Sequence, residues 1–163
     1  MPFDDLLAAN AEYARNFQHG GFDGIARAGV AIVTCMDSRI DPLALTGLKH
    51  GDAKILRNPG GRVTPDVMEA LVLSAHLLGV KRIMIVPHTR CAVASSTEDQ
   101  IRTRVSESAG KDASWLPIHV ITDQVRTLAE DVHAVKSHPL VPESIEVGGF
   151  IYDVDTGQLS QKV

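Results

Sequence analysis

Short unbroken apolar runs alternate along the chain with stretches whose apolar residues recur every three or four positions. Val30-Ala31-Ile32-Val33 and Ile83-Met84-Ile85-Val86 are continuous, the pattern of strands buried on both faces. Ala53–Arg57 predicts another short strand. Phe150–Val154 predicts a further one, with a turn at Asp155-Thr156-Gly157 and a hairpin return over Gln158–Val163. Helical spacing is found in Phe3–Phe17 (Leu6, Leu7, Ala11, Ala14, Phe17), from Thr64 to about Leu78 (Val67, Leu71, Ala75, Leu78), and in Val120–Lys136 (Val125, Leu128, Val132, Val135). Asp41-Pro42 and Thr64-Pro65 each place a capping residue before a proline suited to the first helical position. A helix is also expected to start at His88–Cys91, whereas Ser106–Pro117 is polar and reads as irregular. Gly20-Gly21, Asn58-Pro59-Gly60-Gly61 and Gly79 punctuate these elements.

Strands that alternate with helices predict an α/β fold: a mainly parallel central sheet flanked by helices, with a C-terminal antiparallel edge strand. Crossovers between the parallel strands should be right-handed. The 163 residues suit a single domain, 1–163, in which residues 3–18 form a helical arm. The formal net charge of -4 gives no general attraction to DNA or RNA. No apolar run is long enough to cross a bilayer, and Met1–Asp5 lacks the basic start and apolar core of a signal peptide, so a cytoplasmic protein is expected.

In that compartment the two cysteines, Cys35 and Cys91, would stay reduced, leaving them as buried bystanders, redox groups or metal ligands. Their positions favour the last. Ligands of parallel α/β sheets gather beyond the carboxyl ends of the strands. Cys35 lies just past one buried run, and His88 and Cys91 lie just past another. Neighbouring strands would bring all three to one edge, with a helical turn placing His88 and Cys91 on one side. Two thiolates and an imidazole suit Zn2+, and three protein ligands leave the open position of a catalytic site. Asp37 and Arg39 lie in the segment after Cys35. Beside a cation, Asp37 has two roles open to it: accepting a hydrogen bond from water on the metal, or ligating the metal itself. Arg39 can hold the carboxylate in a forked pair and decide between them.

Cys35-Met36-Asp37-Ser38-Arg39, then Arg57-Asn58-Pro59-Gly60-Gly61, then His88-Thr89-Arg90-Cys91 resembles the β-carbonic anhydrases in order and spacing. The Phe150–Leu159 segment looks like that family's terminal strand pair. The resemblance implies a zinc lyase that reversibly hydrates carbon dioxide to bicarbonate. It implies that Cys35, His88 and Cys91 are zinc ligands and that Asp37 and Arg39 form the catalytic dyad, with Asp37 able to ligate zinc in a resting state. It also implies a homodimer or a dimer of dimers, with the N-terminal helix over the partner. Carbonyl sulfide or carbon disulfide is the rival substrate class, and an inactive zinc- or anion-binding relative is the rival from outside enzymology. Three residues depart from the family's habit: Ala92 where glycine is usual, Arg90 before the second cysteine, and Pro59, which removes a backbone donor from its loop.

Overall fold

The computed structural model describes residues 1–163. Five strands form one sheet in the order β2-β1-β3-β4-β5: β1 Val30–Cys35, β2 Ala53–Asn58, β3 Arg82–Val86, β4 Glu146–Tyr152 and β5 Leu159–Gln161. The first four are mutually parallel and β5 returns antiparallel to β4, as the alternation of elements predicts. The helices are α1 Asp4–Arg15, α2 Pro42–Thr46, α3 Pro65–Leu77, α4 Glu98–Ala109 and α5 Gln124–Lys136. None is long and apolar enough to cross a membrane.

β1 is buried along its whole length because strands flank it on both sides and side chains cover both faces. On one face Ala31, Val33, Ile83 and Ile85 meet Val67 and Leu71 of α3 and Leu128, Val132 and Val135 of α5. The helical spacing of those residues aims them at the sheet, and each fully buried side chain contributes about 1.5–3 kcal/mol. On the other face Val30, Ile32 and Val86 are buried beneath partly exposed neighbours that include Met84 and Phe150. Unlike α3 and α5, α1 and α4 have no buried residue, and Leu6 and Leu7 of α1 are each 62% exposed. Beyond its end, Phe17 and Phe22 edge the ring of His19, which stacks on His50 at 4.6 Å and ties the arm to the loop before β2.

Asp41 and Thr64 cap α2 and α3 through their side chains, as their sequence context predicts. Four boundaries differ from expectation. No α-helix starts at His88–Cys91; a short 3-10 turn spans Ala92–Ala94, and α4 begins after Thr97, whose side chain forms a capping box with Gln100. That helix continues to Ala109, so the first residues of the stretch read as irregular are helical until Gly110 closes it. α5 starts at Gln124 rather than Val120, because the Asp123 carboxylate accepts from the Arg126 amide and sets the first turn there. β4 begins at Glu146, ahead of the expected Phe150. Gly148-Gly149 hides this part of the strand in the sequence, yet a Cβ on Gly149 would lie 2.9 Å from Leu128 of α5, so glycine is what allows that helix to pack so near.

Candidate metal centre

β1 and β3 are adjacent and parallel, so the chain leaves both at the same edge of the sheet. Cys35 is the last residue of β1. His88 follows β3 after Pro87, and both it and its neighbours are fixed from β4: the Tyr152 amide donates to the Pro87 carbonyl at 3.0 Å, and the Thr89 amide to the Tyr152 carbonyl at 2.9 Å. Gln124, at the start of α5, donates to the His88 carbonyl at 2.9 Å. Arg90 then turns the chain back with a φ of 56°, the one positive φ among non-glycine residues. This left-handed turn, not a helix, brings Cys91 round to face Cys35, which corrects the helical-turn expectation for the His88–Cys91 spacing.

The result is a triangle of buried side chains. The Cys35 and Cys91 sulfurs are 4.0 Å apart, and these sulfurs and a ring nitrogen of His88 all lie within 4.8 Å of one another. Tetrahedral zinc with bonds of about 2.3 Å to sulfur separates two thiolates by about 3.8 Å, so the spacing fits that ion. His88 is 0% exposed, and its Nδ1 lies 2.8 Å from the Thr89 carbonyl. A carbonyl only accepts, so Nδ1 carries the proton and Nε2 presents a lone pair. That Nε2 is buried and has no hydrogen-bond partner, a costly state for a polar atom unless something ligates it. Neither cysteine is in a disulfide. The other six histidines stand outside the group.

Electrostatics reinforce the geometry. The Cys35 thiol is pushed far down by the hydrogen bond with Cys91, and further by the Gly60 amide, against the effect of its burial. Cys91 is pushed up by the same pairing and by burial. Without a metal the two hydrogen-bonded sulfurs favour one thiolate and one thiol, with a single proton between them. The Gly60 amide donates to the Cys35 sulfur at 3.3 Å, so Pro59, one residue earlier, removes no donor that the site uses. Ala92 opens the 3-10 turn outside the left-handed region and sits there without backbone strain.

Asp37 and Arg39 stand beside the triangle. Arg39 donates from Nε to Asp37 Oδ1 at 2.9 Å, from Nη2 to Oδ2 at 2.7 Å, and from its own amide to Oδ1 at 2.9 Å. These bonds hold the Asp37 carboxyl well below the usual carboxylate range. Nη2 of Arg39 also donates to the Arg90 carbonyl at 3.2 Å, which the left-handed turn presents. Asp37 Oδ2 lies 3.8 Å from His88 Nε2, close to the triangle but outside it. Ile40, Leu45, Val93 and Tyr152 pack around the sulfurs as an apolar wall.

Sequence reasoning missed several supporting residues. Arg57 braces the segment after Cys35, donating to the Cys35 carbonyl at 2.9 Å and the Asp37 carbonyl at 2.6 Å. Its place in the Arg57–Gly61 motif was the available signal. Gln124 and Tyr152 carried none, since each reaches the site from an element distant in sequence.

Residues 30–116 match the family model described as carbonic anhydrase. Beta-carbonic anhydrase 1 of Mycobacterium tuberculosis is 34% identical over 158 residues, which cover 97% of this chain and 96% of that one. The chain belongs to the β-carbonic anhydrases. A crystal structure of a carbonic anhydrase from Streptococcus mutans matches with a TM-score of 0.87 at 37% identity, covering 100% of this chain and 98% of that one. A carbon disulfide hydrolase from Acidithiobacillus thiooxidans is 29% identical over 150 residues, covering 78% of this chain and 74% of its own. As a β-carbonic anhydrase, the chain has the resemblance, the enzyme class and the α/β fold that its motifs imply.

Proposed function

We propose that the protein reversibly hydrates carbon dioxide to bicarbonate, with zinc held by Cys35, His88 and Cys91 and with Asp37 and Arg39 as its dyad. The observation that carries this reading is the buried, unpartnered Nε2 of His88 aimed at two sulfurs spaced for a tetrahedral ion, with an ionised carboxylate alongside. Zinc bound there supplies Lewis acidity that makes water a nucleophile near neutral pH. Asp37, kept ionised by Arg39, accepts a hydrogen bond from the attacking water and orients it. Arg39 occupies both carboxylate oxygens and so restrains Asp37 from becoming a fourth ligand. Ile40, Val93 and Leu45 offer an uncharged, linear substrate an apolar surface. The two thiolates offset the metal's charge, so the rate rises through mildly alkaline pH.

The deciding experiment pairs metal analysis of the purified protein with stopped-flow hydration across pH. Zinc near one equivalent and a rate that climbs with pH support the reading. Absence of zinc, or a rate highest in acid, defeats it. Normal zinc with no hydration at any pH would make the protein a non-catalytic zinc or anion binder. The carbon disulfide hydrolase among the relatives makes a second substrate class worth measuring, since the same apolar wall accepts a linear sulfur analogue. Sulfide release that exceeds hydration would reassign the substrate.

We further propose that residues 1–163 act as one domain and pair as a homodimer, with residues 3–18 lying over the partner. Leu6 and Leu7 of α1 stay largely exposed in their own chain, which supports a second copy as what covers them. A cytoplasmic setting suits two unbridged cysteines that must remain thiolates.

A further inference from the structure

We infer that Asp131, acting through Arg62, is a positioning residue: it sets the loop between β2 and α3 so that the Gly60 amide meets the Cys35 sulfur. The inference rests on the proposed role of Cys35 as a metal ligand. Asp131 lies on α5, is only 5% exposed, and does not touch the sulfur triangle itself. Its contacts all run to the loop. It accepts from Arg62 Nε at 2.7 Å, from Arg62 Nη2 at 3.2 Å, and from the Val63 amide at 3.2 Å. Arg62 is gripped a second time by Asn58, whose side-chain Nδ2 donates to the Arg62 carbonyl and whose Oδ1 accepts from the Arg62 amide, each at 2.8 Å.

The loop so held is wedged between two walls. A Cβ on Gly61 would fall 2.9 Å from the Cys35 amide nitrogen and from the Thr34 carbonyl carbon. A Cβ on Gly60 would fall 2.8 Å from Ile121 and 3.0 Å from Val93. With φ values of 84° and 67°, both glycines let the backbone come this near, but glycine supplies no force that keeps it there. The forked Arg62–Asp131 pair does. Even a fully buried ion pair adds little net stability over well-packed apolar side chains, and here the Arg62 side chain is 27% exposed, so geometry is the better account of its use. An N–H···S bond withdraws charge from the thiolate, and such outer contacts tune what a ligand gives to its metal.

The test uses wild type, Asp131→Asn, Arg62→Lys, and the double variant Arg62→Met with Asp131→Leu. Amide exchange is followed by NMR on metal-free protein, and the thiolate-to-cobalt charge-transfer band on cobalt-loaded protein. In wild type the Gly60 amide is protected. In Asp131→Asn and in the double variant its exchange quickens by about tenfold or more, while Val33 and Ile85 in the core stay as in wild type. The cobalt band moves to lower energy, because a thiolate without its amide donor releases charge more readily. Arg62→Lys falls between, since it keeps the charge and loses the fork. Either readout remaining at wild-type values overturns the inference. Core amides that quicken in step with Gly60 also overturn it, for the pair then merely holds the fold together. Wild-type protein that takes up no cobalt would instead defeat the metal reading, with Gly60 exchange still deciding the loop.

Discussion

In the metal-free pocket the two hydrogen-bonded sulfurs hold one proton between them, because ionising one raises the other thiol. Metal uptake near neutral pH therefore displaces about one thiol proton rather than two, and apparent affinity rises about tenfold per pH unit. The sign follows from the raised thiol: acid keeps the sulfur pair protonated and opposes the metal. Calorimetry in buffers of different ionisation enthalpy measures the proton count, and an affinity flat between about pH 6 and 8 would contradict it. Arg39→Ala frees Asp37 from its fork. Turnover should fall by about a hundredfold or more while zinc content stays near that of wild type. Equal losses of both would show that Arg39 only holds the site together. The meeting of Cys35, His88 and Cys91 was legible in the sequence, because each follows an apolar run that reads as a strand. The left-handed turn at Arg90 was not, since arginine is an unusual residue for a positive φ.

Among the elements, α3 serves the core rather than the site. Leu71 is fully buried between α3 and the sheet. Leu71→Ala should cost about 2–5 kcal/mol in chemical denaturation and leave zinc stoichiometry unchanged in the folded protein. A loss of metal at unchanged stability would place α3 in the site's support instead. The start of α3 at Thr64-Pro65 was plain from two adjacent residues, because a cap and a first-turn proline act locally. The start of β4 was not. Gly148 and Gly149 have no β-strand preference of their own: Gly149 makes room for α5, and a Cβ on Gly148 would meet the Phe150 ring at 2.9 Å.

For the molecule as a whole, metal and arm should report separately. A ligand that binds only the folded state stabilises it by mass action, about 4 kcal/mol at a thousandfold excess over Kd. Zinc removal by a chelator should accordingly lower Tm, and re-addition should restore it in a concentration-dependent way; a Tm indifferent to zinc would argue against binding by the folded pocket. Deleting residues 1–18 removes a helix that contributes no buried residue to its own chain. Sedimentation should show the proposed dimer shifting toward monomer with secondary structure retained, whereas an unchanged assembly would exclude the arm as the clasp. The order of residues was enough for the parallel sheet, its antiparallel edge and the two segments that deliver the triangle, because hydrophobic period and capping chemistry act over a few positions. It did not specify that Tyr152 and Gln124 would brace His88, or that Asp131 would reach across to Arg62. Those contacts join residues dozens of positions apart, and no local pattern encodes them; they arise only when β3, β4 and α5 pack side by side.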